Sequence, residues 1–335
     1  MAVPHTMRAV QYSKFGGGAS DLQHVEVAVP GPTKDQVLVK VEAASINPVD
    51  WKAIQKGLLR IFAPAKLPHT PGTDLAGEVV GLGPGVTSFA IGDKVASWTG
   101  TAIGGALAEY AVAPIKSTVK RPANVSAVDG AALGIAGQSA LQSLRDYGDI
   151  KLDGSSNNKN VLVTAASGGV GTYAVQIAKL GGAHVTATCG SRNIDLIKSL
   201  GADEVVDYKT PEGAKFQSPS GKKYDVVIHC ADYQAFGAFK PQLASTMAKV
   251  IDLTPSPKSL VTAGWQGLTF ASHRFVPFLM KSKSDDLALL CNLVSEGKLR
   301  TVVDSTTPLS RAEEAWQKQI DGHSTGKVVI TVGEE

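Results

Sequence analysis

From Val161 to Leu180 the chain reads VLVTAASGGVGTYAVQIAKL: an apolar, β-branched run, a cluster of small residues, then a helical pattern. Ala166, Gly168 and Gly171 have the small-residue spacing of a dinucleotide fingerprint. That fingerprint needs a tight turn, close backbone approach to a pyrophosphate and close packing of helix on strand. Ser167, Gly168, Gly169, Val170 and Gly171 are therefore the candidate phosphate-binding residues, because exposed backbone N–H groups and the positive end of the helix macrodipole favour negative charge. A glycine-rich turn of purely structural purpose is the alternative; the strand before it and the helix after it favour the nucleotide.

The next strand selects the dinucleotide. An NAD site usually ends that strand in Asp or Glu, which holds the ribose hydroxyls. No acidic residue occurs between Gly154 and Ile194. The run HVTATCG leads instead into Ser191 and Arg192, a hydroxyl and a guanidinium suited to a 2′-phosphate, and Tyr208 is placed to flank the same group. NADPH is the expected cofactor; a solvated arginine on an ordinary loop is the alternative. Ligands of parallel sheets bind outside the carboxyl ends of the strands, which adds Cys230 and Ala231 after one apolar run and Leu253 and Thr254 after another. Nothing near Cys230 in sequence would activate a thiolate, so a small cofactor-facing role is expected of it. Trp51, Trp98 and Trp265 are candidates to line a substrate cleft, with a place in the core the equal alternative.

A zinc centre needs about three soft or imidazole ligands converging on one ion. His69 and His184 have no partner at metal spacing, and the three scattered cysteines cannot fill a four-cysteine structural site. No metal is expected.

The elements that must position these residues fall into two textures. From Met7 to about Pro122, short β-rich runs are punctuated by Gly and Pro, which suggests an irregular antiparallel barrel or sandwich. Near Asp129 the texture turns helical, and from Asn160 apolar runs alternate with helical patterns, which argues for a doubly wound parallel sheet. SRAEEAWQKQI reads as a helix capped by Ser310 with Glu313 completing a capping box, and the closing KVVITV reads as a strand returning to the first domain. The expected fold is thus α/β, a Rossmann-type doubly wound parallel sheet with a second, β-rich domain. The domains are residues 1–128, completed by 285–335, and residues 129–284.

At 335 residues the chain can bury two cores. Its net charge of +3 is too small to argue for nucleic acid. No apolar run reaches transmembrane length, the N-terminus lacks the apolar stretch of a signal peptide, and an odd number of dispersed cysteines fits a reducing compartment. A soluble, cytoplasmic protein is the expectation from these features alone.

AASGGVG (Ala165 to Gly171), INPVDWK (Ile46 to Lys52), GDKV, LAEYAV and STGKVVI together resemble the zinc-free quinone oxidoreductase branch of the medium-chain dehydrogenase/reductase superfamily. NPVDWK, VTAASGGVG, HVTATCG, LGADEVVDYKTPEG and SPSGKKYD are most similar to its plant chloroplast envelope quinone oxidoreductase homologue group. The resemblance implies a GroES-like catalytic domain, an active site in the cleft between domains, and hydride transfer from NADPH to an activated alkene without zinc. In the zinc branch a Cys stands near the position of Asn47 and a His-Glu pair near Thr73-Asp74. Two departures bear on substrate fit: Gly134 stands where many relatives have proline, and Gln138-Ser139 where a Leu-Thr pair is common.

On that resemblance Asn47 is expected to position the nicotinamide ribose or the substrate carbonyl, and Lys52 to be the cationic donor beside the enolate. Each has a plain alternative, a turn before Pro48 and a solvated lysine. The expected substrates are α,β-unsaturated ketones. The alternatives are an NADPH:quinone oxidoreductase, and a nucleotide-loaded binding protein with little turnover. The resemblance also implies the chloroplast envelope as location, with the cytoplasm the alternative. Peripheral membrane contact is suggested by six Lys/Arg against one acid between Tyr233 and Ser284 and by FVPFLMK (Phe275 to Lys281); a solvated basic face is the alternative. The chain is expected to be a monomer or a homodimer, with edge pairing near Leu268–Phe270.

Overall fold

Short apolar runs broken by Gly and Pro pair into sheets in the first of two compact units, Met1–Gln138 with Ser282–Glu335; Ser139–Lys281 forms the second. The computed structural model describes residues 3–55, 61–231, 234–268 and 274–333. In the first unit β1 (Thr6–Gln11) and β2 (Gln23–Ala28) pair antiparallel. β3 (Gln36–Ile46) is central to a larger sheet with β4 (Asp74–Leu82), β5 (Lys94–Trp98), β6 (Tyr110–Pro114), β7 (Thr118–Lys120), β14 (Val303–Pro308) and β15 (Lys327–Thr331). Among the described residues its order is β14-β15-β3-β4-β5-β7, with β6 on β3. The long β3 buries Val37, Val39, Val41, Ala44 and Ile46 against Leu75, Leu107 and Trp316, so alternate positions of one strand supply much of this core.

Around this sheet lie α1 (Pro48–Lys52), α2 (Ala127–Ala132), α9 (Ser284–Ser295) and α10 (Ala312–Asp321), while α3 (Ile135–Gln142) carries the change from one unit to the other. The units divide after Gln138 and Lys281, where the sequence suggested 128 and 284. α2 packs on β3, β4, β5 and β15, so the helical texture begins inside the first unit. One local expectation is corrected. The chain before α10 makes a single tight turn, Leu309–Arg311, and Arg311 takes the N-cap position with no side-chain cap. Glu313 does not close a capping box with Ser310; its carboxylate lies 2.9 Å from Nε2 of His24.

The second unit is built from β8 (Asn160–Thr164), α4 (Gly169–Leu180), β9 (His184–Cys189), α5 (Ile194–Ser199), β10 (Glu204–Asp207), α6 (Pro211–Ala214), β11 (Val226–His229), α7 (Phe236–Phe239), β12 (Lys249–Asp252), α8 (Pro257–Leu268) and β13 (Arg274–Pro277). Its strands run β10-β9-β8-β11-β12-β13, every neighbouring pair parallel. Val161–Val163 and Val226–His229 are buried without interruption, as strands covered on both faces require. The order reverses direction between β8 and β11, the switch point at which such sheets bind ligands. The architecture is the expected one: a Rossmann-type parallel sheet plus a GroES-like β-rich unit. The edge pairing suggested near Leu268–Phe270 lies outside the described side chains.

Candidate active site

β8 ends at Thr164, Ala165 turns through a positive φ of 46°, and α4 begins at Gly169 with Gly168 as its N-cap. Gly168 N–H donates to the Ala165 carbonyl at 2.9 Å, and the Thr172 N–H returns to Gly168 O at 3.0 Å. The first-turn amides between them face out of the helix, as at any helix start, and can hold an anion. A Cβ on Gly171 would lie 2.4 Å from Ala165 O, so the helix packs directly on the turn; one on Gly168 would meet only that oxygen, at 3.3 Å. Donors, dipole and open space above Gly168 all fit a dinucleotide pyrophosphate.

Register brings the other cofactor candidates to the same edge of the sheet. Thr164, His229 and Asp252 stand in one row across β8, β11 and β12, so Cys230, Ala231, Leu253 and Thr254 follow at the carboxyl ends. Thr254 Oγ1 donates to Ala231 O at 2.6 Å and Cys230 N–H to Thr164 Oγ1 at 3.1 Å, which ties the strand ends together. Burial, and then the charge of Asp252, pushes the Cys230 thiol up to about 12, so it is a neutral thiol at physiological pH. Ser191 and Arg192 are exposed on the turn after β9. Tyr208 follows β10, the strand beside β9; it is half-exposed, and its N–H donates to Cys189 O at 3.1 Å.

In the first unit, β3 delivers Asn47 to the N-terminus of α1 as its N-cap. The Asn47 N–H donates to Asp50 Oδ2 at 2.7 Å and its Nδ2 to Asp74 Oδ2 at 2.8 Å, with a longer contact to Ser45 O at 3.4 Å. Lys327 Nζ donates to Asn47 Oδ1 at 2.6 Å and to Ile46 O at 3.3 Å. Thr73 Oγ1 donates to Asp50 Oδ1, and the Ile135 N–H to both oxygens of Asp74, each at 3.1 Å. All these side chains are buried. Burial pushes the Asp50 carboxyl up to about 7 and that of Asp74 to about 6, and lowers Lys327. Gly134 leaves no room for a side chain there, since a Cβ would collide with the Asp74 carboxylate. Asn47, expected as a donor to ligand, thus commits its carboxamide oxygen and one Nδ2 hydrogen to the protein.

Lys52 closes α1, half-buried, with its ammonium 5.4 Å from the centre of the Trp51 ring. Among the described residues no carboxylate pairs with it. Trp51 packs against the first-unit core, Trp98 on β5 is half-buried, and each buries an indole Nε1 that lacks an acceptor among the described residues. Trp265 belongs to the other unit and is 66% exposed on α8. The FVPFLMK segment, expected to offer apolar residues to a membrane, buries Phe275 and Phe278; Leu279 is exposed. Among the described residues no helix is long and apolar enough to cross a membrane.

Sequence reasoning missed Lys327, Asp50 and the buried role of Asp74. GKVVI was recognisable as a terminal motif, but its lysine meets Asn47 across 280 residues, which only strand register can reveal.

Residues 33–123 match the family model of the alcohol dehydrogenase GroES-like domain, and residues 200–330 that of a zinc-binding dehydrogenase. The chain is 56% identical over 324 residues, 97% of its own length and 98% of the relative's, to the chloroplast envelope quinone oxidoreductase homolog of Arabidopsis thaliana. It is 34% identical over 339 residues, 98% of this chain and 80% of the relative, to the chloroplastic NADPH-dependent alkenal/one oxidoreductase of the same plant. The solved structure of the quinone oxidoreductase from Coxiella burnetii superposes with a TM-score of 0.86 at 30% identity, covering 98% of this chain and 99% of that one. Among the described residues no group of three or more His, Cys, Asp or Glu is placed to hold a metal.

Proposed function

The chain belongs to the quinone-oxidoreductase branch of the medium-chain dehydrogenase/reductase superfamily, NAD(P)H-dependent oxidoreductases of small organic substrates, and on that premise we propose that it reduces conjugated carbonyl acceptors, quinones first, at the expense of NADPH. The observation that carries this is Lys52: a half-buried lysine whose ammonium has no carboxylate partner among the described residues, on the short helix that follows Asn47. NADPH, when bound, supplies the hydride. A quinone and an α,β-unsaturated ketone share the O=C–C=C unit, and hydride addition to either drives negative charge onto oxygen. An ammonium aimed at that oxygen stabilises the charge as it develops, an effect worth about 10²–10³ in rate for a single well-placed donor.

The β8–α4 turn, with Cys230, Ala231, Leu253 and Thr254, holds the dinucleotide in the second unit, and Ser191, Arg192 and Tyr208 take its 2′-phosphate. The first unit is catalytic: Asn47 fixes the start of α1, and the rings of Trp51 and Trp98 offer apolar walls to the acceptor. The quinone reading is supported by the names of the 56% identical relative and of the superposable Coxiella protein. A second reading, reduction of the C=C bond of enones with hydride at the β-carbon and a proton at the α-carbon, is supported by the alkenal/one oxidoreductase relative. A chloroplast setting is supported by the name of the Arabidopsis envelope relative.

The test is NADPH oxidation, followed by absorbance, with a small quinone, a medium-chain enone, and NADH in parallel. Quinone turnover preferring NADPH, with kcat reduced about 100-fold in Lys52→Met, is the expected result. Enone-only turnover would promote the second reading. Turnover of neither, with NADPH still bound, would leave a binding protein and remove the assignment of Lys52.

A further inference from the structure

We propose that Lys327 is a positioning residue for Lys52, acting through Asn47 and α1; the proposal rests on the Lys52 assignment above. The last strand pairs antiparallel with β3, Val328 opposite Ile46, so the register carries Lys327 beside Asn47. Lys327 is 3% exposed, a costly burial for a lysine that demands compensation. Its hydrogen bonds do not go to the two neighbouring carboxylates. They go to Asn47 Oδ1 and the Ile46 carbonyl, the two residues that lead into α1.

The acids hold the same residue from its other sides, Asp74 through the Asn47 Nδ2 and Asp50 through the Asn47 N–H. Asp74 lies on β4 opposite Ser45, so three adjacent strands converge on one N-cap. α1 has five residues, too few to sustain itself by helical hydrogen bonding, and its direction is set where it starts. Lys52 is its last residue. A lysine kept only to neutralise Asp50 and Asp74 would bond them directly; this one spends its donors on the point from which Lys52 is aimed.

The experiment compares kcat, the KM for NADPH, and melting temperature in Lys327→Met, Lys327→Arg, Lys52→Met and the double variant Lys52→Met/Lys327→Met, with quinone or enone as the acceptor found above. Expected is a kcat about tenfold lower in Lys327→Met, as for a donor displaced by a fraction of an ångström. The KM for NADPH should be unchanged, Lys327→Arg should recover part of the loss, and the double variant should have the kcat of Lys52→Met alone. If Lys327→Met fails to fold with two unbalanced carboxylates, Lys327→Met/Asp74→Asn, which removes one charge of each sign, takes its place. Wild-type kcat in the Lys327 variant, or the same tenfold loss persisting in the Lys52→Met background, overturns the proposal. Lys52→Met turning over like the wild type instead overturns the assignment of Lys52 itself.

Discussion

Two glycines of the nucleotide turn, Gly168 and Gly171, should fail in different ways when each is changed to alanine. At Gly171 the new Cβ would sit 2.4 Å from Ala165 O, 2.6 Å from Ala166 Cα and 2.8 Å from Ala166 C. These are backbone atoms, and a comfortable contact needs roughly 3.4–4 Å. About an ångström of separation must therefore be opened between α4 and the end of β8, against Val161, Leu162 and Val163, which have no exposed surface. Overpacking of this kind costs about 1–3 kcal/mol, which at roughly 2–4 °C per kcal/mol means several degrees of melting temperature.

At Gly168 the nearest atom to a new Cβ is Ala165 O at 3.3 Å, and φ is an ordinary −80°. Alanine there costs at most about 1 kcal/mol, the usual penalty of a poor N-cap. On the proposed placement, its methyl would nevertheless stand in the path of a pyrophosphate to the helix amides. Thermal unfolding without ligand, followed by fluorescence titration with NADPH, separates the two effects. Gly171→Ala should melt lower; Gly168→Ala should melt nearly as the wild type yet bind NADPH at least tenfold more weakly. A Gly171→Ala protein with wild-type melting would refute the packing argument, and a Gly168→Ala protein with wild-type affinity would refute the placement of the pyrophosphate.

Arg192→Ala should raise the KM for NADPH by about 10–100-fold, the loss of a charge-assisted hydrogen bond, and leave that for NADH unchanged; equal losses for both would remove Arg192 from the 2′-phosphate. The raised Asp50 carboxyl gives a pH signature opposite to that of a salt-bridged acid. Its native value near 7 lies above the ordinary carboxylate range near 4. Its contribution to stability is therefore fully present below about pH 4 and is lost as pH rises through 7. The urea midpoint of the wild type should fall relative to that of Asp50→Asn between pH 5 and pH 8, and parallel curves would contradict the shift.

The parallel sheet was legible because strands buried on both faces leave continuous apolar runs, and Val161–Val163 and Val226–Ile228 are such runs. The small-residue spacing of the turn was legible for a similar reason: Gly171 has a backbone atom where a Cβ would go. Features that depend on tertiary pairing were not. The acid at Glu313 reads as half of a capping box until His24 of a distant strand is seen beside it. Phe275 and Phe278 read as exposed because basic residues follow them, yet Phe275 packs with Tyr224 and Phe239 in the core of the second unit.

The buried cluster around Asn47 bears on substrate class as well as on geometry. A soft ligand set at this place would bring a dication able to turn an alcohol into an alkoxide. Asn47 and Thr73 supply amide and hydroxyl groups in its stead, and the nearest positive charge, Lys327, is turned onto the protein itself. On the proposed assignment a substrate meets the ammonium of Lys52, which has no carboxylate partner among the described residues. One ammonium cannot shift an alcohol far enough to ionise near neutral pH. It can stabilise an oxygen that becomes negative only as hydride arrives, because the charge then develops beside a cation already in place. Conjugated carbonyls develop their charge in that order, so the proposed reduction of quinones or enones needs only this one electrostatic device.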